Sequence, residues 1–183
     1  MWLRHRVAVA ERGADQLERK VQLISREVVE RRKSVERSRA VWEATSNEAA
    51  GWMVRAGFVG GVDAVKQAWT RPKDVEVTWV ATMGVRHPDG ATIGLSELPD
   101  VAMSAATFQT RRAFDVALRA AVELSAGESA VALLESDLRT TRRRARVLRR
   151  HWLPQLQSQL HDLELALEQA EQEDQARLRR NAS

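Results

Sequence analysis

Four histidines, a dense acidic stretch, a run of arginines and one glycine-rich loop are the groups in this sequence whose chemistry could amount to a site. His5, His87, His151 and His161 form neither an i, i+4 zinc-protease pair nor any other metal-ligand spacing, so they read as solvated or seam-edge imidazoles. The loop GFVGG at residues 57–61 lacks the lysine and hydroxyl residue of a phosphate-binding loop, and no nucleophile elbow is present. Carboxylates between Asp162 and Asp174 are spread over several helical turns, which describes a solvated face better than a cation site. With no cysteine in the chain, thiolate metal sites, disulfides and cysteine nucleophiles are excluded. The expectation is no catalytic residue, no cofactor and no metal.

The arginines remain. The stretch TRRRARVLRRHWLP carries Arg142, Arg143, Arg144, Arg146, Arg149 and Arg150, with Leu148 and Trp152 among them. Basic residues with an interleaved aromatic would suit a phosphate-tracking surface. The whole chain, however, mixes 29 basic with 25 acidic side chains for a net charge of +4, the mosaic of a charge-laced helix. A basic nucleic-acid binder would also leave the acidic stretch after the arginines unexplained, so no specific nucleic acid is expected as a partner.

What positions these charges is a helical repeat. Seats taken in alternating steps of four and three from Leu3 fall on Val7, Ala10, Ala14, Leu17, Val21, Ile24, Val28, Arg31, Val35, Ser38, Trp42, Thr45, Ala49 and Trp52, nearly all apolar. A 3.5-residue repeat held this long keeps one stripe facing a partner helix. A helix from residue 2 to about 56 would be roughly 80 Å long at ~1.5 Å per residue, against a radius of gyration of about 16 Å for a compact chain of this length. An elongated molecule is therefore expected. A second seam runs through Leu134, Leu138, Thr141, Ala145, Leu148, Trp152, Leu156, Leu160, Leu163, Leu167 and Ala170. Between Leu148 and Leu160 the spacing relaxes to successive fours around Pro154, predicting a bend there.

Two striped helices in one chain pair most simply with each other, antiparallel. That pairing brings the acidic HDLELALEQAEQED toward the basic N-terminus, and it places Glu27, Glu30, Glu36 and Glu43 opposite the arginine run. Between the helices Val75, Val77, Trp79, Ala81, Met83 and Val85 alternate with mostly polar residues, and HPDG at residues 87–90 is turn chemistry, so a β-hairpin is predicted, preceded by a short helix over VDAVKQAW. Trp42, Trp52, Trp152 and Trp79 are expected to be buried. The predicted fold is mainly α, a long antiparallel two-helix coiled coil with a hairpin-containing foot. Its parts are an N-terminal helix at 1–58, a foot at 59–103 and a C-terminal helix at 104–183, together one structural unit. No apolar run is long enough for a membrane span, and the charged opening MWLRHR has no signal-peptide core.

Three blocks, RHRVAVAERGADQLERK, VEVTWVATMGV and TRRRARVLRRHWLPQLQSQLHDLELALEQAEQEDQARLRR, resemble the D subunit of the V-type and archaeal-type rotary ATPases in order and spacing over nearly the whole chain. The last block is the most specific, through its arginine triplet, its following proline and its closing RLRR. Family members usually carry a further stretch before Leu3, which implies a shorter tip or a later start here. His151 and Trp152 replace apolar residues before the proline, and Arg149 replaces an acidic one.

The resemblance implies a non-catalytic rotor shaft. Its partners would be the catalytic head subunits A and B, the companion F stalk subunit and the socket-like C (d-type) subunit joining it to the membrane ring. It would lie peripherally at the cytoplasmic face of the plasma membrane, without inserting into it. Partner contacts are expected at Arg142, Arg143, Arg146 and Arg150, at Arg177, Arg179 and Arg180, and at the hairpin residues Met83, Gly84 and Val85. A coiled-coil scaffold with no motor role is the alternative.

Overall fold

A computed structural model describes residues 2–69, 72–95 and 103–181. Helix α1 is Trp2–Gln67, strands β1 and β2 are Pro72–Thr82 and Val85–Leu95, and helix α2 is Ala105–Val147; a π-helical turn follows at Leu148–Trp152, and helix α3 is Leu153–Asn181. The fold is mainly α, with long N- and C-terminal helices and a two-stranded antiparallel hairpin between them. The chain divides into two compact units, residues 1–23 with 138–183, and residues 24–137.

In the unit of residues 24–137, α1 and α2 are antiparallel. Arg32 pairs with Glu135 and Arg39 with Glu128, so a step of one heptad up α1 is a step of one heptad down α2. The buried positions include Ile24, Val28, Ala49 and Ala56 on α1 and Ala120, Leu124, Ala130 and Leu134 on α2. Alanine at so many of these sites lets the two backbones approach closely, with less apolar area buried per turn than leucine would give. Polar groups at the interface are satisfied locally: the Thr110 hydroxyl lies 2.9 Å from the Trp52 carbonyl and 2.8 Å from that of Ala106. At the start of α2 the Ser104 hydroxyl accepts the Thr107 amide at 3.1 Å, an N-cap bond that occupies one otherwise unpaired donor of the first turn.

Helix α1 has one non-helical residue, Gly61, at φ 64° and ψ −159°, which separates the long helix from the short piece expected before the hairpin. This backbone region is open to glycine and strained for any residue with a Cβ. Gly61→Ala is accordingly expected to destabilise the protein by about 1–3 kcal/mol. Gly57→Ala, at a helical position with only ordinary contact to Val65, should instead stabilise it by roughly 0.5–1 kcal/mol. Urea unfolding of the two variants checks the opposite signs.

The hairpin differs from the sequence expectation in where it turns. Its loop is Met83–Gly84, both at positive φ (51° and 82°), between the paired residues Thr82 and Val85. Two consecutive positive-φ residues make the type of two-residue turn whose twist matches that of the strands. HPDG is not a turn and lies inside β2. There the register slips, Thr78 pairing with Gly90 and Trp79 with Pro88, so Asp89 is an extra residue, a β-bulge. Proline and glycine in HPDG thus serve an irregular strand rather than a chain reversal.

His87, expected at a solvated or seam-edge position, is fully buried. Its Nδ1 donates to the Pro88 carbonyl at 3.0 Å, and its Nε2 lies 2.9 Å from the Thr82 hydroxyl.

In the unit of residues 1–23 with 138–183, Arg4 pairs with Glu164, Gln157 donates to Glu11, and Arg149 reaches Asp15 and Glu18, again an antiparallel order. Buried here are Val7 and Ala14 from α1, and Leu138, Thr141, Ala145, Leu153 and Leu156 from the opposite strand of the pair. Leu148 packs over Gly13.

The π-helical turn corrects the expected seam. Regular spacing puts Trp152 on it, yet Trp152 is 53% exposed and Leu153 is 8% exposed. The Leu153 amide donates to the Leu148 carbonyl, five residues back, which is the π pattern. The turn absorbs one extra residue, so the seam passes from Leu148 to Leu153 and leaves Trp152 outside. Pro154 follows at once and has no amide to contribute, so the wider turn forms where an α-helical bond would be lost in any case.

Candidate interaction surfaces

Among the described residues no group of His, Cys, Asp and Glu could hold a metal ion, and no helix is long and apolar enough to cross a membrane. Charged and apolar patches are exposed on the helices and the hairpin.

Within the arginine run, Arg142, Arg143, Arg144, Arg146 and Arg150 are exposed on α2 and the π turn. Arg149 differs. Its guanidinium bonds Glu18 at 2.9 and 3.0 Å and Asp15 at 3.1 Å, which holds Arg149 above its ordinary value, chiefly through the hydrogen bonds to Glu18. The same bond is the main reason the Glu18 carboxyl lies below the usual 4.5. Asp15 and Glu18 are therefore the acidic partners of Arg149. Glu27, Glu30, Glu36 and Glu43, expected opposite the arginines, lie in the other unit, where Glu27 bonds Arg31 and Glu30 bonds Lys33 on their own helix. An apolar stripe fixes which faces meet, but the lengthwise offset of two long helices is set by details of packing that a charge count does not carry.

Glu18 gives a pH prediction. Its folded pKa is depressed, so the stability it adds is complete above about the ordinary carboxylate value and is lost as pH falls through the lowered one. Arg149→Met should lower the melting temperature at neutral pH, and the gap from the parent should close toward acid. Melting curves at pH 7 and through the acid range test this; a gap that does not narrow would mean that Arg149 stabilises by packing alone.

The C-terminal arginines Arg177, Arg179 and Arg180 are exposed on the last turns of α3. Arg177 lies 3.9 Å from Glu173, and Arg180 approaches the Ala176 carbonyl. Met83 and Gly84 are exposed at the hairpin tip and Val85 is half-buried.

Of the predicted seam, Val7, Ile24, Val28, Leu138 and Leu156 are buried, and Leu17, Val21, Val35, Leu148 and Leu160 are half-buried. Leu163 and Leu167 are exposed, contrary to expectation, near the level at which Arg4 of α1 pairs with Glu164. Trp42, also expected inside, is 37% exposed and lines an apolar cavity of about 390 Å³ with Met53, Trp69 and Phe114. Trp79 is exposed on the hairpin, with the Arg86 guanidinium 5.0 Å from its ring centroid. Trp52 is half-buried.

Three features were missed by sequence reasoning. The Asp89 bulge aims its carboxylate at Arg31, 2.6 Å away, while Glu27 holds the same guanidinium at 2.9 Å. Burial alone would lower the Arg31 pKa, and the bonds to Asp89 and Glu27 outweigh it and raise it. The residue types of HPDG, which populate bulges as well as turns, were the available signal. A second feature is the exposed apolar group Phe58, Val59 and Val62 beside the Gly61 break, side chains that a partner would cover more readily than water solvates. The third is the open face of β1.

Paired long helices, an inserted hairpin and exposed charged and apolar patches define a stalk or adaptor class of protein, one that works through its contacts. The family model for the ATP synthase D subunit matches residues 1–182, and the chain belongs to this family. It is a stalk subunit of a V-type rotary ATPase, a complex of ATP synthesis and ion transport, and it associates with other subunits of that complex. No curated protein matches the chain in a direct sequence comparison.

Proposed function

We propose that this protein is the central rotor shaft, transmitting torque between the catalytic head of subunits A and B and the ion-translocating membrane ring, and that it catalyses nothing itself. The observation that carries this reading is the cross-helix tie repeated within each unit: Arg4–Glu164 and Arg149–Glu18 in one, Arg32–Glu135 and Arg39–Glu128 in the other, each beside buried seam residues. A load applied to one helix is shared with its partner through close-packed contacts of low compressibility. Single exposed ion pairs add little stability, so their contribution is to hold register.

In this reading the exposed Arg142, Arg143, Arg146 and Arg150 form a basic collar that meets acidic loops of the head in succession. Long-range attraction suits a sliding contact because it requires no single geometry. Arg177, Arg179 and Arg180 belong to the same kind of contact at the end of α3. Phe58, Val59 and Val62 fit docking to the socket-like C (d-type) subunit, and Met83, Gly84 and Val85 fit contact with the companion F stalk subunit. Within the complex the chain would lie at the cytoplasmic face of the plasma membrane.

The test is rotation. With no native cysteine, a single cysteine introduced at an exposed α1 position away from the collar, such as Glu48, can carry a bead in the reconstituted ATPase. ATP-driven stepping of the bead about a fixed head is expected. ATP turnover with a stationary bead, in complexes shown to contain the shaft protein, overturns the reading. Changing the four collar arginines to Gln should weaken assembly in a salt-dependent way while leaving helix content intact.

A further inference from the structure

The hairpin is more open on one side than a closed fold requires. Val75, Val77 and Trp79 of β1 share a face with their cross-strand partners Ile93, Ala91 and Pro88. On the β2 half of that face Ile93 and Pro88 are buried. On the β1 half Val75, Val77 and Trp79 are 49%, 39% and 45% exposed. The sheet is therefore closed along β2 and open along β1, and the opening is a groove of about 450 Å³ whose far wall is the small-residue face of α2, including Ala121, Ser125 and Ser129. The groove adjoins a free backbone edge, since among the described residues the sheet has only two strands and nothing pairs with the outer side of the eleven-residue β1. Edges of this length are normally blunted or covered, because each outward amide and carbonyl can template another strand.

We infer that the outer edge of β1 receives an extended segment from a neighbouring protein of the ATPase as a third strand, with small apolar side chains entering the groove against α2 and basic side chains between them. The apolar half of that pattern follows from the groove. The basic half follows from the opposite face, where Asp74 and Glu76 are exposed and in no ion pair among the described residues. An added strand places its alternate residues beside this acidic row, where opposite charges are favoured and like charges are not. The same row disfavours a second copy of this chain paired β1 to β1, since Asp74 and Glu76 outnumber the one basic residue of that strand, Lys73. Backbone hydrogen bonds supply affinity in such strand addition and alternate side chains supply selectivity. The inference needs the association shown by family membership but not the torque role.

Residue-resolved amide exchange on the isolated full-length protein and on the assembled ATPase tests it. Amides of β1 that face β2 are protected in both. Those that face outward are expected to slow by roughly tenfold or more on assembly, the size of one net hydrogen bond, giving protection with a period of two residues. Asp74→Lys with Glu76→Lys should return the outward amides toward their isolated rates while the β2-facing ones stay protected, which shows that the hairpin persists. A photoreactive residue at Thr78 should capture a segment of a neighbouring ATPase protein with alternating basic residues. Unchanged exchange along β1, uniform slowing without alternation, or capture of a second copy of this chain each overturns the inference. A stationary bead with period-two protection intact would sink the torque reading and leave this one standing.

Discussion

Leu153→Asp is expected to cost several kcal/mol and to lower the melting temperature by on the order of 10 °C, whereas Trp152→Asp, one residue earlier, should change stability by less than about 1 kcal/mol. Aspartate has the same poor helix propensity at both sites, so the comparison removes that contribution and leaves burial. Leu153 is 8% exposed and faces the antiparallel partner helix, where a carboxylate would lose its water without gaining a donor. Trp152 is 53% exposed and its replacement remains hydrated. A strict four-three or four-four count from Leu148 predicts the reverse order, since it puts Trp152 inside. Circular dichroism melts of the two variants decide which residue holds the seam. Equal losses would mean that the π turn does not persist in solution.

Much of the fold was legible because heptads announce themselves. The seats from Val7 to Val28 are regular, and regular apolar spacing admits few alternatives to a paired helix. Legibility ends where two arrangements satisfy the same letters. From Leu148 to Leu160 there are twelve steps, which divide as four, four and four through Trp152 or as five, three and four through Leu153 and Leu156, and every seat in both is apolar. Hydrophobicity cannot choose between them, and the backbone requirement of Pro154 favours the second. HPDG misled for a related reason: turn-forming residues also populate bulges, while the true turn uses Met83 at positive φ, a conformation its type does not advertise. The interaction surfaces were least legible. Which acids face which arginines depends on the axial offset of the helices, and the free edge of β1 exists only once the strand order is known.

The π turn also makes a prediction about sequence length. Deleting His151 shortens the interval from Leu148 to the residue now at 153 from five to four, so the seats at Leu148, Leu153, Leu156 and Leu160 would follow steps of four, three and four, an unbroken heptad phase. With Pro154 present, that uninterrupted α-helix forces the proline ring against the carbonyl four residues back, at a cost of about 3 kcal/mol or more. The deletion alone should therefore destabilise by that amount. In the Pro154→Ala background the clash is gone and the seam is continuous, so the same deletion should be neutral or stabilising. The two changes are predicted to couple by about 3 kcal/mol, the upper end of what contacting residues show. Urea unfolding of the parent, the two single variants and the double variant measures the coupling directly. Additive effects would show that proline and π turn are merely neighbours. Coupling of the predicted sign would show that the extra residue is retained because the proline is there, and that the exposed position of Trp152, with the arginines around it, is a consequence of one backbone constraint.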